Sequence, residues 1–326
     1  MPNICFEVRI PAFDRPELLH RAIQSLQAQD YPHWRAVVYD DSLSNEVEDL
    51  VQSISDSRIH YSRNNERLGA AENIDRCFSP TPLYQGNYGC LLEDDNFWLR
   101  GFLALLVTRL SREPWDVVLA NQRIYEQGVG LRPPVHTTRA GWFLGGMVEP
   151  LELRATLLFM EGLSNGGLVW RLGGNIDLRV GPTVRETGLH EACRSLLLAR
   201  PFFFLEEPQA AWTLMPKKET ARSTERNRLI SRGRQSVMRF VLKSQGVALV
   251  ENATRIAARM GLIDRLVQGV ARSGHPALVW GLRHCRHQLI AAAYCKGMAV
   301  RIAEKDPCAL FLSSPRPIRW IRIPRT

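Results

Sequence analysis

Four polar residues, Glu93-Asp94-Asp95-Asn96, follow directly on the apolar run Tyr88-Gly89-Cys90-Leu91-Leu92. A hydrophobic strand that ends in consecutive carboxylates delivers negative charge to the rim of a sheet, where a metal ion or another cation makes it tolerable. Acidic runs are more often solvated loops, so the cluster gains its meaning from its company. Val37-Val38-Tyr39-Asp40-Asp41-Ser42 reads as a second strand ending in paired Asp, and Ile10-Pro11-Ala12-Phe13-Asp14-Arg15-Pro16 as a strand-to-helix turn. Ligands of open α/β sheets bind beyond the carboxyl ends of the strands. Three strand ends bearing polar chemistry early in the chain therefore point to one site of nucleotide type.

The elements that must carry these groups follow from periodicity. Ile4, Phe6, Val8 and Ile10 alternate with Cys5, Glu7 and Arg9, a strand pattern. Asp14, with Glu17 three residues on and Pro16 in the first turn, is expected to cap the helix whose apolar face is Leu18, Leu19, Ala22, Ile23 and Leu26. A strand over 35–39, a helix over 45–54 and a strand at Arg58-Ile59-His60-Tyr61 come next. Ala70, Ile74, Cys77 and Phe78 recur at helical spacing, as do Leu99, Phe102, Leu103, Leu106 and Leu110, with a strand over 116–120 behind them. This βαβα order predicts a largely parallel sheet with right-handed crossovers. The stretch 121–185 is Gly-rich and reads as irregular functional loops. Leu189, Cys193, Leu196 and Leu197 mark another helix, Phe202–Leu205 a short strand, and the chain beyond 220 reads as helices with basic faces.

Composition narrows the class. The chain has 326 residues, 45% hydrophobic and 23% charged, ordinary for a globular protein. Its seven Cys are scattered without a CxxC pair and several fall in apolar runs, which predicts reduced core thiols and a cytosolic protein. No apolar stretch has the length of a membrane span, and the chain reads as one without a leader peptide. The net charge of +9 hides a division. Residues 1–212 hold 20 Arg, no Lys and 27 acidic residues, whereas residues 213–326 hold 22 Lys and Arg against 6 acidic residues. Such asymmetry separates two functional regions.

In this order and spacing the segments resemble family 2 glycosyltransferases. The carrying residues are Ile10 through Leu19, Leu26-Gln27-Ala28-Gln29-Asp30-Tyr31-Pro32, Tyr39-Asp40-Asp41-Ser42, Asn65-Glu66-Arg67-Leu68-Gly69-Ala70-Ala71 and Leu92-Glu93-Asp94-Asp95-Asn96. They cover about residues 4–105, and a weaker likeness runs from His190 through Glu206-Glu207-Pro208 to Trp212. The resemblance implies a GT-A fold, α/β and Rossmann-like, with a mostly parallel sheet flanked by helices and a C-terminal α-helical extension. It implies a catalytic domain over 1–215, with a nucleotide-sugar half (1–120) and an acceptor half (121–215), and a basic helical region over 216–326.

By the same resemblance, the main chain at Pro11, Ala12 and Phe13 cradles base and ribose, and Arg15 belongs to that nucleotide site. Asp41 accepts a pyrimidine ring N–H, Arg67 pairs near the base or diphosphate, Asp94 serves the ribose, and Asp95 is the ligand of Mn²⁺ or Mg²⁺. The general base is Glu191, where the family more commonly has Asp, with Glu186 as the rival. The implied reaction is metal-dependent, inverting transfer from a UDP- or dTDP-type sugar to the hydroxyl of a glycan, lipid-linked or small-molecule acceptor. Retaining or nucleotidyl transfer on the same fold is the alternative within enzymes. A non-catalytic membrane- or nucleic-acid-binding protein acting through its basic tail is the alternative outside them.

The remaining candidates carry less. His284-Cys285-Arg286-His287 is spaced too tightly for a usual tetrahedral metal site and has no partner pair. Trp142 and Trp170 lie where they would stack on a sugar, although Trp is more often core. His190 reads as a polar residue at a helix start sooner than as a metal ligand. Arg226, Arg228, Arg232, Arg234 and Arg239 interleave with apolar residues, a pattern of a docked helical cap or of peripheral contact with the inner face of a membrane. Nucleic acid is not expected, since no recognised binding module is present. Charges at Glu7 and Arg9 depart from the usual apolar first strand and imply a less buried strand or paired charges.

Overall fold

The computed structural model describes residues 4–128, 130–131, 136–159, 161–215 and 224–261. The chain forms two compact units, residues 1–148 with 163–230, and residues 149–162 with 231–326. The first unit holds the sheet and all of the chemistry discussed below.

Its first half alternates as the periodicity predicts. Strand β1 (Phe6–Ala12) leads to helix α1 (Pro16–Gln27), β2 (Trp34–Asp40), α2 (Glu46–Ser53), β3 (Ile59–Arg63), α3 (Ala70–Arg76) and β4 (Tyr88–Leu91). After them come β5 (Phe97–Trp98), α4 (Phe102–Arg112), β6 (Val117–Gly128), β7 (Gly130–Leu131) and β8 (Gly146–Val148). Helix α5 (Pro150–Thr156) belongs to the second unit, and β9 (Leu168–Arg171), α6 (Thr187–Leu197) and β10 (Phe202–Leu214) complete the first. Helix α7 (Thr224–Arg259) is broken at Gly246, whose φ of 58° no helical residue adopts.

The sheet order is β3-β2-β1-β4-β9-β6-β10-β5, with β7 beside β6 and β8 beside β10. Pairings β3/β2, β2/β1, β1/β4 and β6/β10 are parallel. The short β9 runs antiparallel between β4 and β6, so both keep the direction of β1. The carboxyl ends of β1, β2, β4 and β6 therefore share one rim. Strand β1 is buried along its whole length, and Leu19, Ala22, Ile23 and Leu26 of α1 and Phe102, Leu103 and Leu106 of α4 bury the apolar faces of their helices in the core.

Three features differ from the sequence expectation. The stretch 121–185 is not a run of loops, because β6 continues to Gly128 and β9 enters the middle of the sheet. A four-residue strand is too short to print a period of its own. Gly89 admits it, since a Cβ there would stand 2.5 Å from the Trp170 ring. Asp14 does not cap α1. Its φ is +46°, its carboxylate accepts the Leu43 N–H at 3.1 Å, and Arg15 occupies the cap position without a side-chain cap bond. Strand β10 runs through thirteen residues instead of four, with its register to β6 shifted between Leu205 and Ala210.

The charged first strand proves to be a buried ion pair. Glu7 and Arg9, 1% and 0% exposed, lie 3.3 Å apart. Glu7 also accepts the N–H groups of Leu83, Tyr84 and Gly86, and Arg9 donates to the carbonyls of Cys77, Ser79 and Thr81. The 77–86 connection thus meets the Glu7 carboxylate and both Nη groups of Arg9, the partners that buried ions require, and leaves Arg9 Nε without one. Cys77, Cys90 and Cys193 are buried free thiols and Cys5 is half-buried.

Candidate active site

The end of β2 is built around two carboxylates with different partners. Asp40 accepts the Ser42 N–H at 2.9 Å and the Tyr61 hydroxyl at 2.7 Å. Asp41 Oδ1 accepts from Leu68 N–H and Asn64 Nδ2, and Oδ2 from Gly69 N–H, each at 2.8 Å. Asp41 thereby fixes the turn into α3, which Gly69 opens at φ +79°, and Oδ2 keeps one lone pair. The Asp41 N–H donates to Ala12 O at 3.0 Å, which joins the end of β1 to the same turn. Exposed Arg67 stacks its guanidinium 4.7 Å from the centre of the Phe13 ring. Pro11, Ala12, Phe13, Asp41 and Arg67 thus lie together at the ends of β1 and β2 and the turn after β3.

The acidic cluster stands at the end of β4, beside β1. Asp94, 2% exposed, accepts the Phe13 N–H at 3.3 Å and is paired with Arg15 through Nε, at 3.2 Å, and Nη2. Arg15 Nη1 reaches Asp95 at 2.7 Å. Arg21, one and a half turns further along α1, donates to the main-chain oxygen of Asp95 at 2.6 Å, and also to Gln127 and Thr213. Asn96 donates to Glu93 Oε2 at 2.7 Å and accepts the Thr213 N–H at 2.8 Å, which ties the cluster to β10. Burial pushes the Glu93 carboxyl up to about 8, aided by the like charges of Asp95, Glu191 and Asp94. Burial also raises Asp94, with the Arg15 guanidinium opposing it.

Glu191 joins this cluster from the other half of the sheet. It lies on α6 and accepts the Asn165 N–H at 3.0 Å. Gly166, the next residue, is so close to Glu93 that a Cβ would stand 2.8 Å from Oε2. The buried segment Leu163–Gly167 is held on every side: Ser195 accepts the Leu163 N–H, Ser164 donates to Gln122, and Arg194 donates to the Asn165 side chain. Arg194 is fully buried, pairs with Asp75 at 2.7 Å and donates to Leu178 O at 2.7 Å. Asp75 in turn accepts the Val180 and Gly181 N–H groups.

Sequence periodicity missed this network. It gave α6 one apolar face, yet His190, Arg194 and Ser195 are 0–1% exposed, and their partners include Asp75, Leu163, Asn165 and Leu178, all outside the helix. No local pattern signals such a pairing. His190 is a packed residue, with Nε2 2.5 Å from Val184 O and Nδ1 3.7 Å from Asp75. Glu186 precedes the first turn of α6, about 7 Å along the axis from Glu191, and pairs with Arg226 at 2.7 Å. Trp170 is core, fully buried against Phe78 and under Arg9, and so is unavailable for stacking on a sugar; Trp142 is 8% exposed. His284, Cys285 and His287 lie outside the described residues.

Among the described residues no three His, Cys, Asp or Glu side chains form a metal-holding group. The donors present are the adjacent carboxylates of Asp94 and Asp95, already gathered round a cationic side chain. That set fits Mg²⁺ or Mn²⁺, which commonly takes one or two carboxylates and completes its shell with phosphate oxygens and water.

Residues 7–162 match the family described as glycosyl transferase family 2. Over this region, a little under half of the chain, the protein is similar to family 2 glycosyltransferases. The region contains β1 through β8 and the whole acidic cluster, while Glu191 and α6 lie beyond it. The chain is 31% identical over 131 residues to the Campylobacter jejuni GalNAc(5)-diNAcBac-PP-undecaprenol beta-1,3-glucosyltransferase, covering 39% of this chain and 40% of that protein. It is 28% identical over 107 residues to the putative colanic acid biosynthesis glycosyl transferase WcaA of Escherichia coli, covering 32% and 37%. The matched segment thus spans well under half of these curated relatives. S. aureus TarS 1-349, solved in complex with UDP-GlcNAc, shares the fold with a TM-score of 0.50 at 14% identity, covering 92% of each chain. The mixed, mostly parallel sheet flanked by helices is the GT-A arrangement.

Proposed function

We propose that the protein is a glycosyltransferase that moves a sugar from a UDP- or dTDP-type donor to an acceptor hydroxyl, with inversion and with a divalent ion. The observation that carries this reading is the convergence of Glu191 on the Glu93–Asp95 cluster across Gly166. A carboxylate from the acceptor half stands there beside the groups that receive the donor. On this reading the Pro11–Phe13 main chain and the Phe13 ring, with Arg67 above it, receive base and ribose. The free lone pair of Asp41 Oδ2 takes a pyrimidine N–H, Asp94 serves the ribose, and Arg15 belongs to the same nucleotide site.

Asp95, with Asp94, is the residue that would hold Mn²⁺ or Mg²⁺, whose chemistry at such a site is to offset negative charge on a departing diphosphate. Glu191 takes the proton of the acceptor hydroxyl. That oxygen forms its bond to the anomeric carbon as the bond to the diphosphate oxygen breaks, so one displacement inverts the centre. The Asn165 N–H orients the Glu191 carboxylate for this task. Glu186, engaged with Arg226, is the less favoured base.

Two relatives are named for undecaprenol-linked acceptors, and one of these for a UDP-Glc donor. These names support a lipid-linked acceptor and a UDP-sugar. No helix among the described residues is long and apolar enough to cross a membrane. Before its break, α7 exposes Arg228, Arg232, Arg239 and Lys243 together with Leu229 and Phe240, which suits peripheral contact with an anionic membrane face. The rest of the basic region, 216–223 and 262–326, lies outside the described residues.

The test is a release assay with UDP-Glc, UDP-GlcNAc, UDP-Gal and dTDP-Glc, each with Mn²⁺ and an undecaprenyl-diphosphate-linked sugar, with product anomeric configuration read by NMR. Acceptor-dependent release of the nucleotide with inversion is expected, and Glu191→Gln should lower turnover by about 10²–10⁴-fold while UDP affinity is kept. Retained configuration, or full turnover in Glu191→Gln, overturns the inverting base assignment. Nucleotide binding without any transfer across acceptors favours the binding-protein alternative.

A further inference from the structure

Two buried or half-buried carboxylates next to each other need a cation, and in this chain one is built in. Asp94 lies at 3% and Asp95 at 21% side-chain exposure, at the end of a strand with Glu93 adjacent. Arg15 meets both. Its Nε and Nη2 engage Asp94 as a fork and its Nη1 engages Asp95, so all three guanidinium nitrogens are committed. The Arg15 side chain remains 40% exposed, and it precedes the first residue of α1, so it is not locked by helical packing. Arg21 differs. It grips the Asp95 main-chain oxygen and leaves the carboxylates alone.

We propose that Arg15 is the resident counter-cation of the Asp94–Asp95 pair and competes with the divalent ion for it. The inference rests on the metal-dependent reading above and names what regulates that site. A guanidinium and a divalent ion compete for these carboxylates, because they repel at close range in a partly desolvated site and Arg15 already occupies both Asp94 oxygens and Asp95 Oδ2. With its fork on Asp94 and Asp95, Arg15 commits three of its five N–H donors and keeps fewer for a diphosphate. The domain therefore has two competing arrangements, one with Arg15 on the carboxylates and one with the ion there and Arg15 released. A nucleoside diphosphate favours the second, because it supplies phosphate ligands to the ion and an anion to Arg15. The ion is held weakly by the free protein and tightly once the nucleotide is present, so metal and donor load together.

The probe is Mn²⁺ alone, titrated calorimetrically into the full chain without and with saturating UDP. Arg15→Gln should bind Mn²⁺ at least about tenfold more tightly than wild type without nucleotide, and the gap should narrow when UDP is present. Arg15→Lys, which keeps the charge and loses the fork, should fall between the two. Its Mn²⁺ affinity keeps the test open if the uncompensated Asp94 of Arg15→Gln compromises folding. Asp95→Asn should lose Mn²⁺ binding in every background. Equal affinities in wild type and both Arg15 variants, or weaker binding in the variants, overturn the competition and leave the metal-dependent reading standing. Absence of Mn²⁺ binding to any of them, even with UDP, overturns both.

Discussion

The two halves of the sheet hold their polar groups in different ways. In β3-β2-β1-β4, apart from the buried Glu7–Arg9 pair of β1, the groups stand at or just past the carboxyl end of a strand, and their support is the turn beyond a neighbouring strand: Asp41 holds the 64–69 turn that follows β3, and Asp94 meets Phe13 and Arg15 just past β1. Around β9, β6 and α6 the groups stand in the interior. Arg194, Asp75, Asn165 and Ser195 join α3, α6 and the loops at 163–165 and 178–181. The first half offers charges near a rim, where ligands can complete them. The second half closes its charges on one another, and Asn165 of that network holds Glu191. On the proposed reading the contrast is that of a donor site, which must admit an ion and a diphosphate, and a base, which must be held still.

Breaking the interior network should have the largest effect. Arg194→Leu leaves Asp75 as an unpaired buried carboxylate and should cost about 3–5 kcal/mol in urea unfolding. Adding Asp75→Leu should recover part of that loss, because the pair is removed together. A loss no larger than that of an average surface substitution would show that water reaches this pair and that the two halves are not so different.

Next comes the rim. Asp41→Ala strips partners from two main-chain N–H groups and from Asn64, and should cost about 3 kcal/mol. It should also weaken UDP binding in calorimetry, whereas Arg194→Leu, if folded, should weaken turnover more than UDP affinity. Gly89→Ala probes the seam where β9 joins the two halves. Its Cβ would stand 2.5 Å from Trp170, an overpacking worth about 1–3 kcal/mol in thermal unfolding.

The smallest effect is one of pH. Burial pushes the His190 imidazole below its ordinary 6.5, the Val184 carbonyl opposes that shift, Arg194 adds to it and Asp75 opposes it. The unfolded chain therefore binds a proton that the folded chain resists. Stability is fully present above 6.5 and is lost as pH falls from there through the lower folded value. His190→Asn should flatten the melting temperature between pH 7.5 and 5.5. An unchanged slope would show that His190 stays neutral or charged alike in both states.

The alternation in the first half was legible because helices and strands there bury one face or two and are separated by polar turns. The charges of Glu7 and Arg9 marked a strand with paired or exposed charges, and pairing is what the fold supplies. Asp14 misled because a short polar side chain just ahead of a helix is equally at home in a cap and in a left-handed turn. The β9 insertion and the buried face of α6 left no local trace, since Leu168–Arg171 is too brief for a period and Arg194 reads as a surface residue until Asp75 is beside it.

By itself the sequence determined the order of the βα units, the three polar strand ends, the positions of Asp41, Asp94 and Asp95, and the helix that carries Glu191. Those follow from short-range rules: side-chain period, turn chemistry, and the cost of placing charge anywhere but at a rim. Only the tertiary structure decided that β9 runs antiparallel through the centre and that Arg15 closes over both carboxylates. It alone brought Gly166 against Glu93 and linked Glu191 through Asn165 and Arg194 to Asp75. Each of these is a contact between segments distant in the chain, and such contacts are selected by what remains unsatisfied once the sheet has formed.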